Sequence, residues 1–334
     1  MHEQVQRQTS RDAPRFVVAI DGGGSKTECL VASATGQIVG HGLGGSVNLG
    51  FVERAVATRS IDDALGQALA GTVTDVAVVC LGATVTEDFA RPLIDRWLRY
   101  DRFLNVGEAQ ACLASATPEE AGAVVLAGTG AFCWARNRHG EAHRTDGWGT
   151  LLGDQGSAYD LVRRALVAAA RAVDGRGPST LLVERFCDHF DVIDLKMVSR
   201  RIYQGRMLRH EIAALAPLVA EVAPNDPVAA AVLRETGHLL AEGLLVCIER
   251  VGLIGIGFDV ALCGGVFRAN AVEAPLAEVL RTRCPTARLI RPIGPPVIGA
   301  LALALAELGH QPDCARLALL ARDYSCIVER EGAR

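Results

Sequence analysis

Twice in this chain a short apolar run stops at a glycine-rich turn and resumes as a strand, and each time a second turn and a third strand follow. The first copy reads as strands over 16–21, 28–34 and 38–42. Asp21-Gly22-Gly23-Gly24-Ser25-Lys26-Thr27 and Thr35-Gly36-Gln37 join them. The second reads as strands over 123–127, 132–137 and 141–145, joined by Gly128-Thr129-Gly130 and His139-Gly140. One such segment would suit a plain hairpin. Repetition of the whole order points instead to two related lobes, each bringing one glycine turn to a shared cleft.

The rest of the pattern is α/β. Apolar spacing predicts helices over about 52–70, 88–100, 109–116, 157–173, much of 179–250, 271–283 and 297–308, the last long helix. Buried strands are expected at 74–81, 103–106, 259–263 and 287–292. Half of the 334 residues are hydrophobic and 22% are charged, enough to build a substantial core. A net charge of −4 argues against a nucleic-acid partner. The longest apolar helix, 296–308, is too short to cross a bilayer, so no membrane partner is expected. The ten cysteines contain no Cys-x-x-Cys pair and sit mostly in apolar runs. That pattern fits buried thiols in a reduced, cytoplasmic protein better than zinc or disulfide chemistry. The eight histidines show no zinc spacing. Residues 1–15 are polar, lack the apolar stretch of a secretory signal and read as a disordered tail.

Three glycine turns and one irregular loop carry the chemistry. In the first turn, Asp21 ends a strand, where its carboxylate can hold Mg²⁺. Gly23 and Gly24 let the backbone present N–H groups to phosphate, and Ser25 and Thr27 add hydroxyls. The order is neither a P-loop nor a dinucleotide fingerprint: Lys26 follows Ser25, and position 27 is Thr. The second turn offers Thr129 and Gly130. The third, Gly264-Gly265 after a strand, leaves room for a nucleoside against the backbone. The loop Asp146-Gly147-Trp148-Gly149-Thr150-Leu151-Leu152-Gly153-Asp154-Gln155-Gly156-Ser157 suits a sugar-binding edge, with a Trp for the apolar face and a carboxylate for paired hydroxyls. Asp154 or Ser157 equally suits a helix N-cap.

These motifs, in this order, resemble the N-acetylglucosamine kinases within the BadF/BadG/BcrA/BcrD ATPase family, itself similar to the actin and hexokinase superfamily. The resemblance runs over about 16–308. Gly147–Tyr159 is its most specific stretch, and Pro295–Ala300 looks like the family's closing helix. It implies a duplicated ribonuclease-H-like fold. A first lobe would span 16–118, a second 119–296, and a closing helix and tail 297–334, with ATP and Mg²⁺ in the central cleft. Asp21 would hold Mg²⁺. Gly23, Gly24, Ser25 and Thr27 would meet the β/γ-phosphates, Thr129 and Gly130 the second phosphate contact, Gly264 and Gly265 the adenosine. Asn48, Trp148, Gly149 and Asp154, with Thr129 and Glu108, would hold the sugar. The family's catalytic base is an Asp at the position of Glu108. Two further departures are Gln155 for Glu and Ala131 for Ser. The implied activity is ATP-dependent phosphorylation of an amino sugar by a homodimer, N-acetylglucosamine at its 6-hydroxyl first, glucosamine or another hexosamine second. An ATPase that activates a dehydratase or reductase, and a non-catalytic sugar or nucleotide sensor, are the alternatives. The first would need clustered cysteine ligands for an iron–sulfur centre.

Overall fold

A computed structural model describes residues 15–70 and 73–332. Of the tail expected over residues 1–15, the first fourteen lie outside them.

The first half runs β1 (Phe16–Gly22), β2 (Thr27–Ser33), β3 (Ile38–Gly44), α1 (Arg54–Leu69), β4 (Asp75–Ala83), α2 (Glu87–Ile94), β5 (Arg99–Asn105) and α3 (Gly107–Ala114). The second runs β6 (Gly122–Ala127), β7 (Ala131–Arg136) and β8 (Ala142–Asp146), then six helices before the next strand. These are α4 (Ala158–Val173), α5 (Leu182–Phe190), α6 (Leu195–Arg201), α7 (Arg209–Ala213), α8 (Ala216–Val222) and α9 (Pro227–Arg250). It closes with β9 (Phe258–Cys263), α10 (Asn270–Arg283), β10 (Ala287–Ile290), α11 (Pro296–Ala306) and α12 (Cys314–Gly332).

The two sheets share one topology. Their strand orders are β3-β2-β1-β4-β5 and β10-β9-β6-β7-β8. Read from the opposite edge, the second becomes β8-β7-β6-β9-β10, element for element the first. In each, three antiparallel strands are followed by two parallel ones added beyond the first strand. Val17, Val18, Ala19 and Ile20 of β1 and Ala123, Val124 and Val125 of β6 are buried, as central strands covered on both faces require. The duplicated two-lobe α/β fold is therefore present. The lobes differ mainly in their crossovers: α1 alone links β3 to β4, whereas the helical insert α4–α9 links β8 to β9.

The lobes interlock through α3 and α11. Helix α3 ends the first βα series yet touches β6 and β9, and α11 ends the second yet packs over β1 and β4. The helices cross at Gly299. A Cβ there would fall 2.0 Å from the Ala111 carbonyl oxygen, so only glycine allows the approach. Val297, Ile298 and Leu301 of α11 thus share a core with Val17, Ala19, Val78 and Cys80.

Two expectations need correction. A helix over 88–100 does not form. Helix α2 ends at Ile94, two residues after Pro92, which supplies no helical N–H. Arg99–Asn105 is instead a strand in register with β4, Arg99 opposite Asp75. It lies at the sheet edge with Arg99, Asp101 and Arg102 exposed, which hides its strand character among charged residues. Nor is the helix over 297–308 the last long one. Helix α12 follows and buries Leu317 and Leu320 against the α11 core.

Candidate active site

The C-terminal ends of β1 and β6 place both glycine turns on one cleft of about 460 Å³ between the sheets. From the first lobe it is lined by Asp21, Gly23, Gly24, Ser25, Lys26, Asn48, Phe51 and Glu108. From the second come Thr129, Gly130, Arg144, Trp148, Gly149, Asp154 and Arg209. Residues as far apart in the chain as Asp21 and Pro296 therefore meet in one place.

Three expected nucleotide residues sit elsewhere. Thr27 is 1% exposed, and its hydroxyl donates to the Gly45 carbonyl (2.8 Å), so it ties the first turn to the loop after β3 instead of lining the cleft. Gly264 backs the second turn. Its φ is +99°, and a Cβ would lie 2.3 Å from the Ala127 carbonyl oxygen, so no other residue fits. Gly265 faces open space.

The electrostatics centre on two buried carboxylates. Burial pushes Glu108 up from the ordinary 4.5 to about 7; Arg144 pulls it back and Asp154 adds to the rise. Burial pushes Asp21 up to about 8, with Glu108 and Glu28 adding repulsion and Lys26 opposing it. Glu108 stands close to the first turn: its Oε1 lies 3.5 Å from where a Cβ on Gly23 would be. A carboxylate with pKa about 7 is matched to accepting a proton near neutrality. Two such groups facing one pocket also form the donor chemistry that a divalent cation relieves. No group of three or more His, Cys, Asp or Glu among the described residues is arranged to hold a metal ion by itself. Asp21 thus suits Mg²⁺ in the manner usual for that ion, one or two carboxylates with water and phosphate completing the shell.

Glu28 supports the first turn from behind. It accepts from the Tyr324 hydroxyl (2.6 Å), Lys26 Nζ (2.6 Å) and His41 Nε2 (3.0 Å). Burial alone would raise its pKa; the three hydrogen bonds outweigh this and hold it near 2. Helix α12 is thereby fastened to the turn that follows β1.

The sugar-type loop is organised by Asp146. Its Oδ1 accepts from the N–H groups of Gly147 and Asp154 (2.7 Å each), and its Oδ2 from that of Gln155 (2.8 Å). Asp146 and Asp154 take φ values of +63° and +55°, a conformation that Asp tolerates better than most residues. The loop turns Asp154 inward, 4% exposed, against Gly130, while Trp148 stays 76% exposed at the rim. Burial pushes Asp154 up; the Ala131 N–H and Arg209 oppose this. Ser157, not Asp154, caps α4, accepting from the Asp160 N–H (3.1 Å). Asn48 Oδ1 accepts from the Gly50 N–H (2.9 Å), which fixes its side chain at the cleft edge.

A matching family model settles the lineage: it covers residues 18–304 and describes the BadF/BadG/BcrA/BcrD ATPase family. The chain belongs to this ATPase family. Within it, the chain is 25% identical over 305 residues to an N-acetylmuramic acid/N-acetylglucosamine kinase of Clostridium acetobutylicum, a match covering 88% of this chain and 99% of that one. It is 26% identical over 309 residues to an N-acetyl-D-glucosamine kinase of Dictyostelium discoideum, covering 86% and 97%. A solved structure from Chromobacterium violaceum, provisionally named an N-acetylglucosamine kinase, superposes with a TM-score of 0.69 at 26% identity over 87% of this chain and 99% of that one.

Sequence reasoning missed Phe51, Arg144 and Arg209. Arg144 lies 3.9 Å above the Phe132 ring, against Gly147 of the loop that follows β8. Arg209 lies 3.5 Å above the Phe51 ring, and its Nη1 is 3.4 Å from Asp154 Oδ2. Arg144 sits in the middle of β8, two residues before Asp146 and the recognised loop, a signal that could have been used. Arg209 stands on a five-residue helix with no neighbouring motif. A second cavity of about 410 Å³, within the helical insert, is lined by Leu166, Val167, Leu195, Tyr203 and other mainly apolar residues. It contains no glycine turn and is separate from this site.

Proposed function

We propose that this family member transfers the terminal phosphoryl group of ATP to an amino sugar, N-acetylglucosamine at its 6-hydroxyl first and glucosamine or another hexosamine second. One observation carries the reading: Glu108, a buried carboxylate poised near neutral pH, shares one cleft with a glycine turn and with Asn48, Trp148 and Asp154, brought from two loops as a set suited to a sugar. The kinase names of the relatives support the same reading.

When bound, ATP supplies the phosphoryl group and Mg²⁺ neutralises phosphate charge. The turn Gly23-Gly24-Ser25 binds the β/γ-phosphates through the N–H groups of Gly24 and Ser25, while the Gly23 N–H donates to the Lys26 carbonyl (3.0 Å) and closes the turn. Thr129 with Gly130 provides the facing contact. Thr27 holds the first turn in place. Gly264 shapes the second turn, and Gly265 leaves space for the adenosine. Asp21 holds the metal. Asn48 and Asp154 orient the sugar hydroxyls, Gly149 lets the loop backbone approach, and Trp148 covers the sugar's apolar face. Glu108 accepts the proton of the attacking hydroxyl. Its side chain is one methylene longer than the family's Asp, and it reaches Gly23 from the first turn of α3. Closure over the sugar excludes water, which favours transfer to the sugar over hydrolysis. We further place the enzyme in the cytoplasm as a homodimer. No helix among the described residues is long and apolar enough to cross a membrane.

The reading is tested by ³¹P NMR of a mixture of the protein, Mg²⁺, ATP and N-acetylglucosamine. A sugar 6-phosphate resonance growing with ADP supports it; ADP formed with only inorganic phosphate refutes it.

A further inference from the structure

Three cations line the cleft, and Arg209 alone comes from the helical insert. Its guanidinium spans the gap between the lobes. Nη2 lies 3.1 Å from where a Cβ on Gly24 would be, at the phosphate turn of the first lobe. Nη1 points to the Asp154 carboxylate of the second, at 3.4 Å. The plane rests 3.5 Å above the Phe51 ring, which belongs to the first lobe. Glu108 Oε1 approaches the neighbouring Gly23 in the same way. Successive glycines of the first turn are thus faced by a proton acceptor and by a fork of donors.

The contact to Asp154 is long. A committed guanidinium–carboxylate hydrogen bond falls at about 2.7–2.9 Å, so this pair leaves the fork available to another anion. A neutral sugar hydroxyl needs no guanidinium. Phosphoryl oxygens match the fork geometry, and the aromatic platform holds it in orientation.

Resting on the kinase reading above, we propose that Arg209 is a charge-stabilising arginine supplied in cis, donating to the oxygens of the phosphoryl group as it passes to the sugar. The sugar hydroxyl oxygen forms its bond to phosphorus while the bond from phosphorus to the ADP oxygen breaks. The hydroxyl proton goes to Glu108, and ADP leaves with the bridging oxygen. Arg209 gains or loses no proton. Because it reaches from the insert to Gly24 and Phe51, its contact is complete only when the two lobes are close, which couples closure to the chemical step.

Steady-state kinetics of Arg209→Ala and Arg209→Lys with Mg²⁺, ATP and N-acetylglucosamine test this. In Arg209→Ala, kcat should fall by about 10³-fold, within the range for such donors, with the sugar KM changed by less than about 3-fold. Added guanidinium ion should restore part of the lost kcat in Arg209→Ala and none in Arg209→Lys, which keeps a charge without the fork. Should Arg209→Ala fail to fold, Arg209→Gln, which keeps a stem over Phe51, gives the same reading. An unchanged kcat with a raised sugar KM would overturn the proposal and leave Arg209 as a positioning residue for Asp154. Unchanged kinetics would overturn it equally. A wild-type enzyme with no sugar-dependent ADP release would overturn the kinase reading and this inference together.

Discussion

Replacing Glu108 by Gln should make the protein less active and more stable, in amounts the cleft sets. Folding raises the Glu108 pKa from 4.5 to about 7, mainly through burial. Below pH 4.5 the carboxyl is neutral in both folded and unfolded chains and contributes nothing. As pH rises from 4.5 to about 7 the unfolded chain releases the proton and the folded one keeps it, so stability falls; above 7 the loss is constant. That gap, at about 1.4 kcal/mol per pH unit, costs the wild type about 3 kcal/mol at pH 8. Gln has nearly the same shape and carries no charge, so Glu108→Gln removes this cost and also relieves the repulsion on Asp21. Urea denaturation at pH 5 and pH 8 should show the variant ahead by about 3 kcal/mol at pH 8 and by only about 0.8 kcal/mol at pH 5. The same substitution removes the proton acceptor, so kcat should drop by about 10²–10⁴-fold. A variant less stable than wild type at pH 8, or one that keeps full turnover, would refute the electrostatic reasoning.

Other parts of the structure yield further expectations. Gly299→Ala forces a methyl toward the Ala111 carbonyl at the α3–α11 crossing and should cost at least about 1–3 kcal/mol, read from the urea midpoint with an unchanged slope. Trp148→Ala, at a rim position 76% exposed, should leave stability within about 0.5 kcal/mol while raising the sugar KM several-fold in the ADP-release assay. Saturating Mg²⁺ and a nonhydrolysable ATP analogue should raise the melting temperature more at pH 8.5 than at pH 6, because Asp21 and Glu108 release their protons only through about 8 and about 7.

The sequence made the architecture legible because the fold is built twice. Two meanders with matching turns revealed the duplication into two lobes, and the carboxylate and glycines at the end of β1 marked the cleft. Glu108 was legible only through the resemblance, standing where the family's catalytic Asp is expected, and Asp154 through a loop too rich in glycine for a core element. Elements without local periodicity escaped. β5 carries charges because it is an edge strand, and α12 buries only a narrow stripe around Leu317 and Leu320. The role of Thr27 depends on a hydrogen bond to Gly45, 18 residues away. Arg209 enters the cleft only through the packing of the helical insert, which sequence spacing does not encode.

The most direct test of the whole account is ADP release measured against a panel of hexoses and hexosamines, with wild type beside Glu108→Ala. The account predicts turnover that depends on an amino sugar, is much weaker with glucose, and is lost in Glu108→Ala. Tight ATP binding without sugar-dependent turnover, or equal turnover in Glu108→Ala, would contradict it.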